Sequence, residues 1–150
     1  MPTDEEIESE ECADVYSTFG AAMHVAQVLE HSIVNAMIAV RMPDGDRYRR
    51  TDIDALMDKQ FGRALAELIR LLKSQPAFPD NLHKLLTEAV VGRNYLAHRI
   101  FRERNDEMYT SEGRAKLVLE LCDAHDLFTQ ANTLLNGIIQ QIKARSKTSA

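Results

Sequence analysis

Apolar residues recur along this chain at helical spacing, and nowhere do they alternate for long enough to read as a strand. Phe19, Ala22, Met23, Ala26, Ile33 and Met37 fall at i, i+3, i+4 and i+7 intervals and predict a first long helix from about residue 5 to 41. Pro43-Asp44-Gly45 predicts the turn that ends it, and Thr51 or Asp52 is placed to cap a short second helix. Residues of about 61 to 73 form a third. Ser74-Gln75-Pro76-Ala77-Phe78-Pro79 then breaks helix twice, so Asp80 or Asn81 is expected to cap a fourth helix running to about residue 104. Thr110 or Ser111 caps a fifth, which carries Leu117, Leu121, Phe128, Ala131, Leu135, Ile138 and Ile142 along one stripe and ends in a polar, frayed tail from about residue 145. The links are short. The expectation is therefore an all-α, mostly antiparallel bundle of about five helices, three long and two short, in one domain spanning residues 1–150.

Composition agrees with an ordinary globular domain: 45% hydrophobic and 27% charged residues, with a net charge of −5. Cys12 and Cys122 stand alone, which predicts neither a disulfide framework nor a zinc knuckle and points to a reducing cytoplasm. No apolar run reaches the roughly 18 residues that would span a bilayer, and the Glu-rich start is unlike a signal peptide, so no membrane partner is expected. The charge is uneven. Residues 1–40 hold eight acids and neither Lys nor Arg, a balance of −8, whereas the other 110 residues carry +3. That argues against a nonspecific nucleic-acid coat but leaves room for a local basic site.

The chemistry concentrates in the fourth helix, in Gly92-Arg93-Asn94-Tyr95-Leu96-Ala97-His98-Arg99-Ile100-Phe101-Arg102-Glu103-Arg104. This stretch resembles the HEPN superfamily, whose signature is an Arg followed after four to six residues by a His, often with Asn directly after the Arg. Arg93, Asn94 and His98 match it. The layout of helices, with the motif on a late helix before a turn and a long final helix, extends the resemblance over most of the chain. Arg93 to Arg104 followed by Thr110-Ser111-Glu112-Gly113-Arg114 also looks like a group of prokaryotic HEPN-like proteins. The resemblance implies a metal-independent endoribonuclease, acting as a toxin or anti-phage effector through a homodimer whose paired motifs line one cleft, with an antitoxin or other protein partner possible. The alternative that the resemblance admits, ranked second, is a noncatalytic helical adaptor that binds a protein through the same surface.

The residue types suit RNA cleavage. An imidazole titrates near neutral pH, so His98 can move the proton of a ribose 2'-hydroxyl. Arg93 keeps its charge and offers a planar fork to phosphate oxygens, and Asn94, four residues from His98, could orient it. At ~100° per residue, however, Arg93 falls inside the arc of Leu82, Leu85, Leu86, Ala89, Leu96 and Ile100, about 140° from His98. Either Arg93 reaches around the helix, or the helix is deformed, or a dimer completes the site. On the first helix Glu30 sits in the middle of the apolar stripe, so Glu30 and Arg93 are also expected to form a buried ion pair.

Val90, Ala97 and Phe101 lie near Asn94 and His98 on the wheel and suggest either a dimer interface or a helix covered on several sides within one protomer. Arg99, Arg102 and Arg104, with Tyr95 as a stacking group, are candidate RNA-binding residues, and the alternative for such residues is an ordinary solvated face. Arg47, Arg49, Arg50 and Tyr48 are a weaker second set. His24 and His31 share a flank of the first helix without other ligands nearby, and His83 and His125 have no evident partners, so no metal is expected. Gly-rich phosphate loops, Ser or Cys nucleophile motifs and paired-carboxylate motifs are absent, so no cofactor is expected.

Overall fold

The computed structural model describes residues 1–41, 69–70 and 72–148. Among them are α1 (Asp4–Arg41), α2 (Asp80–His98), the single turn α3 (Ile100–Glu103), a 3₁₀ turn (Asn105–Tyr109) and α4 (Ser111–Thr148), with no strand. The fold is an all-α bundle, and the described residues contain these four helices, where the whole chain was expected to have about five. Residues 69, 70, 72 and 73 are helical too, at the end of the third expected helix. The second expected helix, the turn at 43–45 and the basic connector at 47–50 lie outside the described residues.

Each long helix starts where its end is chemically stopped. Thr3 and Glu6 make a reciprocal capping box at α1: the Thr3 N–H donates to Glu6 Oε2 at 2.7 Å and the Glu6 N–H to Thr3 Oγ1 at 3.2 Å. At α4, Thr110 is the cap, its Oγ1 accepting the Gly113 N–H at 2.9 Å. The start of α2 departs from expectation. Pro79, rather than Asp80 or Asn81, occupies the cap position, in extended backbone and without a side-chain bond. The Pro79 carbonyl accepts the Leu82 and His83 N–H groups at 3.1 and 3.3 Å, and Asp80 contributes its charge inside the first turn.

The helix expected to run to residue 104 ends at His98. Arg99 leaves helical geometry at φ −130°, ψ −35°, although its N–H still donates to the Tyr95 carbonyl at 2.9 Å. The chain therefore bends and resumes for one turn as α3. The stripes foreseen on α1 and α4 form the core: Ala22, Ile33, Leu117, Leu121, Phe128, Ala131 and Leu135 are fully buried, against Leu82 and Leu86 of α2.

Strand-like ladders are replaced here by a few cross-helix contacts that fix direction. Glu11 meets Arg114 and Ser32 meets Asn132, so α1 and α4 run parallel. Glu30 meets Arg93 while Phe19 stacks on Phe101, so α2 and α3 run antiparallel to α1. An up-down-up path leaves its first and last helices parallel, and that pair has the most extensive contact in the bundle.

Candidate functional site

Arg93 projects from the middle of α2 toward α1. Its Nε donates to Glu30 Oε1 at 2.7 Å, and its Nη1 donates to Asn94 Oδ1 at 3.1 Å. The two side chains of the ion pair remain 31% and 16% exposed, so the pair sits at the mouth of the α1–α2 seam rather than deep in the core. Water therefore screens part of the attraction, and part of the desolvation cost is avoided. Nη2 has no acceptor among the described residues.

Asn94 faces Arg93 rather than His98. On the helical wheel it lies about 100° from Arg93 and about 40° from His98, so the bond to Asn94 draws the guanidinium toward the His98 side of α2. His98 is exposed at the last residue of the helix, and among the described residues its imidazole makes no hydrogen bond or ion pair. The backbone between Arg93 and His98 is regular helix, and the bend follows His98. Within one protomer the two side chains leave α2 in different directions.

The nearby basic residues divide into two kinds. Arg99 is exposed and makes only a long 3.7 Å contact with Glu103 one turn on, and Arg102 is exposed. Arg104 is engaged internally: its two terminal nitrogens donate to Glu107 and Glu120, each at 2.5 Å. Glu120 first, then Glu107 and Tyr95, push its pKa well above the ordinary arginine range. This clamp joins the end of α3 to the 3₁₀ turn and α4. Of the three arginines expected to meet RNA, Arg104 is thus the one whose charge is paired internally.

Of the three residues assigned to an interface, Val90 is only 7% exposed and belongs to the core of the protomer. Phe101 is half-buried and packs edge-on against Phe19, ring centres 5.1 Å apart, with Tyr16, one turn earlier on α1, 6.0 Å away. Ala97 is open, as is Val91 on the outer face of α2. Much of the apolar character beside His98 is thus covered by α1.

Two polar constellations escaped the sequence reading. Arg114, 5% exposed, donates to Glu11 at 2.7 Å and to the Met108 carbonyl at 2.7 Å. Arg114 and then Ser111 hold the Glu11 carboxyl below its ordinary value of 4.5. Buried Ser32 donates to Asn132 Oδ1 at 2.5 Å. The available signal for the first was an Arg one turn inside a helix beginning at Thr110, near an acid-rich helix. Nothing local to Ser32 announces its partner 100 residues away.

Among the described residues no group of three or more His, Cys, Asp or Glu side chains is placed to hold a metal ion. His24 and His31 are both exposed on α1, about 10 Å apart along its axis. His83 is buried, its Nδ1 without a partner among the described residues. No described helix is long and apolar enough to cross a membrane. Comparison with known proteins finds no matching family model, curated protein or solved structure.

Proposed function

We propose that this protein is a metal-independent endoribonuclease of the HEPN type. The observation that carries the reading is the held guanidinium of Arg93. Glu30 and Asn94 take up Nε and Nη1 and leave Nη2 to an incoming anion, on the same helix as an exposed, unrestrained His98. Fixed cations that need no rearrangement stabilise a developing phosphorane best.

In this reaction the ribose 2'-oxygen attacks the adjacent phosphorus while the bond from phosphorus to the 5'-oxygen breaks. His98 removes the 2'-hydroxyl proton, and protonation of the 5'-oxygen completes the exchange. The products are a 2',3'-cyclic phosphate and a 5'-hydroxyl. Since Arg93 and His98 diverge by about 140° around α2, the working site combines two protomers in a two-fold dimer, with Ala97 and the open edge of Phe101 near the contact. Arg99 and Arg102 supply the exposed cations that engage RNA phosphates. The HEPN resemblance supports a cytoplasmic toxin or anti-phage role, held in check by a protein antitoxin.

A second reading, a noncatalytic HEPN-like adaptor, draws on the internal engagement of Arg104 by Glu107 and Glu120, which reduces the free cations around the motif. Incubating the purified protein with a mixed RNA pool in EDTA separates the two. Cleavage lost in His98→Ala supports the nuclease, and intact RNA with wild-type protein supports the adaptor.

A further inference from the structure

The parallel helices α1 and α4 leave a groove between them in the half of the bundle that contains their N-termini. Two hollows, of about 420 and about 340 Å³, lie on this seam. Glu11, Asp14, Thr18 and Ala21 line them from α1, at successive helical turns. Ala115, Val118 and Cys122 continue the same register on α4, so the hollows follow one another as one track. Its length from residue 11 to 21 is about 15 Å, two to three turns of helix.

The track combines an apolar floor with acidic walls. Ala21, Ala115 and Val118 provide the floor, and Leu119 stands 67% exposed on one rim. The helical stretches that form it, residues 4–21 and 111–126, hold eleven carboxylates against two cations, a net of −9. One of those cations, Arg114, is 5% exposed and turned onto Glu11 and the Met108 carbonyl, so it offers little charge to the groove. Asp14 lines the first hollow and Asp126, with His125 3.8 Å from its carboxylate, lines the second, so one acid stands toward each end of the track, and neither has a Lys or Arg partner among the described residues.

We propose that this groove docks a basic amphipathic helix of a protein partner, with aliphatic side chains on the floor and Lys or Arg against Asp14 and Asp126. Helix-in-groove recognition needs this combination of an apolar trough and complementary rim charge, and the acidic field of the bundle's end would steer a basic segment toward it. The surface is separate from Arg93 and His98, so the inference does not depend on the proposed cleavage.

The probe is a labelled 14-residue Lys/Leu amphipathic peptide, with a Glu/Leu peptide of the same pattern as its counterpart. Fluorescence anisotropy should detect salt-sensitive binding of the first alone, and peptide-dependent amide-exchange protection should fall on residues 11–21 and 111–126. Asp14→Lys with Asp126→Lys should weaken binding about tenfold or more, as should Leu119→Glu. Asp80→Lys with Glu88→Lys on α2 changes the net charge equally away from the groove and should weaken it less than about threefold. Equal losses from the two charge reversals would reduce the effect to bulk acidity and overturn the proposal. So would protection of these segments on self-association without peptide, which would assign the groove to a second copy of the chain.

Discussion

Arg93 belongs both to the ion pair with Glu30 and to the proposed site. A fully buried pair would make loss of either partner cost several kcal/mol, but partial exposure of both side chains places this one between buried and surface behaviour. A double-mutant cycle with Glu30→Gln and Arg93→Met should therefore return a coupling of about 1–2 kcal/mol by denaturant unfolding. Additive losses would deny the interaction. His98→Ala, at an exposed position, should leave the unfolding midpoint within about 0.5 kcal/mol of wild type. The juxtaposition of Glu30 and Arg93 was legible because both interrupt apolar stripes on helices that must face one another. The depth of the pair was not, since a wheel gives direction around an axis and says nothing of distance from the seam's edge. For the same reason a wheel brings Asn94 near His98 without showing that its side-chain oxygen accepts from Arg93.

At the scale of elements, the junction before α4 is the most constrained place in the described chain. A Cβ at Gly113 would press into the backbone of Glu107, 2.6 Å from its Cα, so Gly113→Ala should destabilise by about 1–3 kcal/mol despite the better helix propensity of Ala. Gly20 has open space around its Cβ direction, and Gly20→Ala should stabilise by about 0.5–1 kcal/mol. Thermal unfolding of the two variants against wild type tests both signs. Glu11 anchors the same junction from α1. Its folded pKa lies below its unfolded value, so the stabilisation is complete above 4.5 and is lost as pH falls through the folded value. Glu11→Gln should accordingly be less stable than wild type at pH 7, and the difference should shrink on acidification below 4.5. Helix ends written in side chains, such as Thr110, could be anticipated. The break at Arg99 could not, because no Pro or Gly marks it and the bend appears only once α3 packs Phe101 onto α1.

For the molecule as a whole, periodicity was enough to establish an all-α bundle with three long helices, because the buried stripes are long and regular. The clamp of Arg104 to Glu107 and Glu120, the bond from Ser32 to Asn132 and the parallel pairing of α1 with α4 depend on which helices become neighbours, which periodicity within one helix does not encode. The proposed composite site needs a two-fold homodimer, because His98 and Arg93 diverge around α2. Multi-angle light scattering should give twice the 17.0 kDa chain mass, and a monomer at high concentration would remove the composite site. Chemistry tests the account most directly. Wild-type protein, incubated with a mixed RNA pool in EDTA, should generate fragments ending in 2',3'-cyclic phosphate and 5'-hydroxyl groups, while His98→Ala and Arg93→Ala should each lower the rate at least about a hundredfold. Intact RNA with the wild type, or cleavage that persists in His98→Ala, would contradict it.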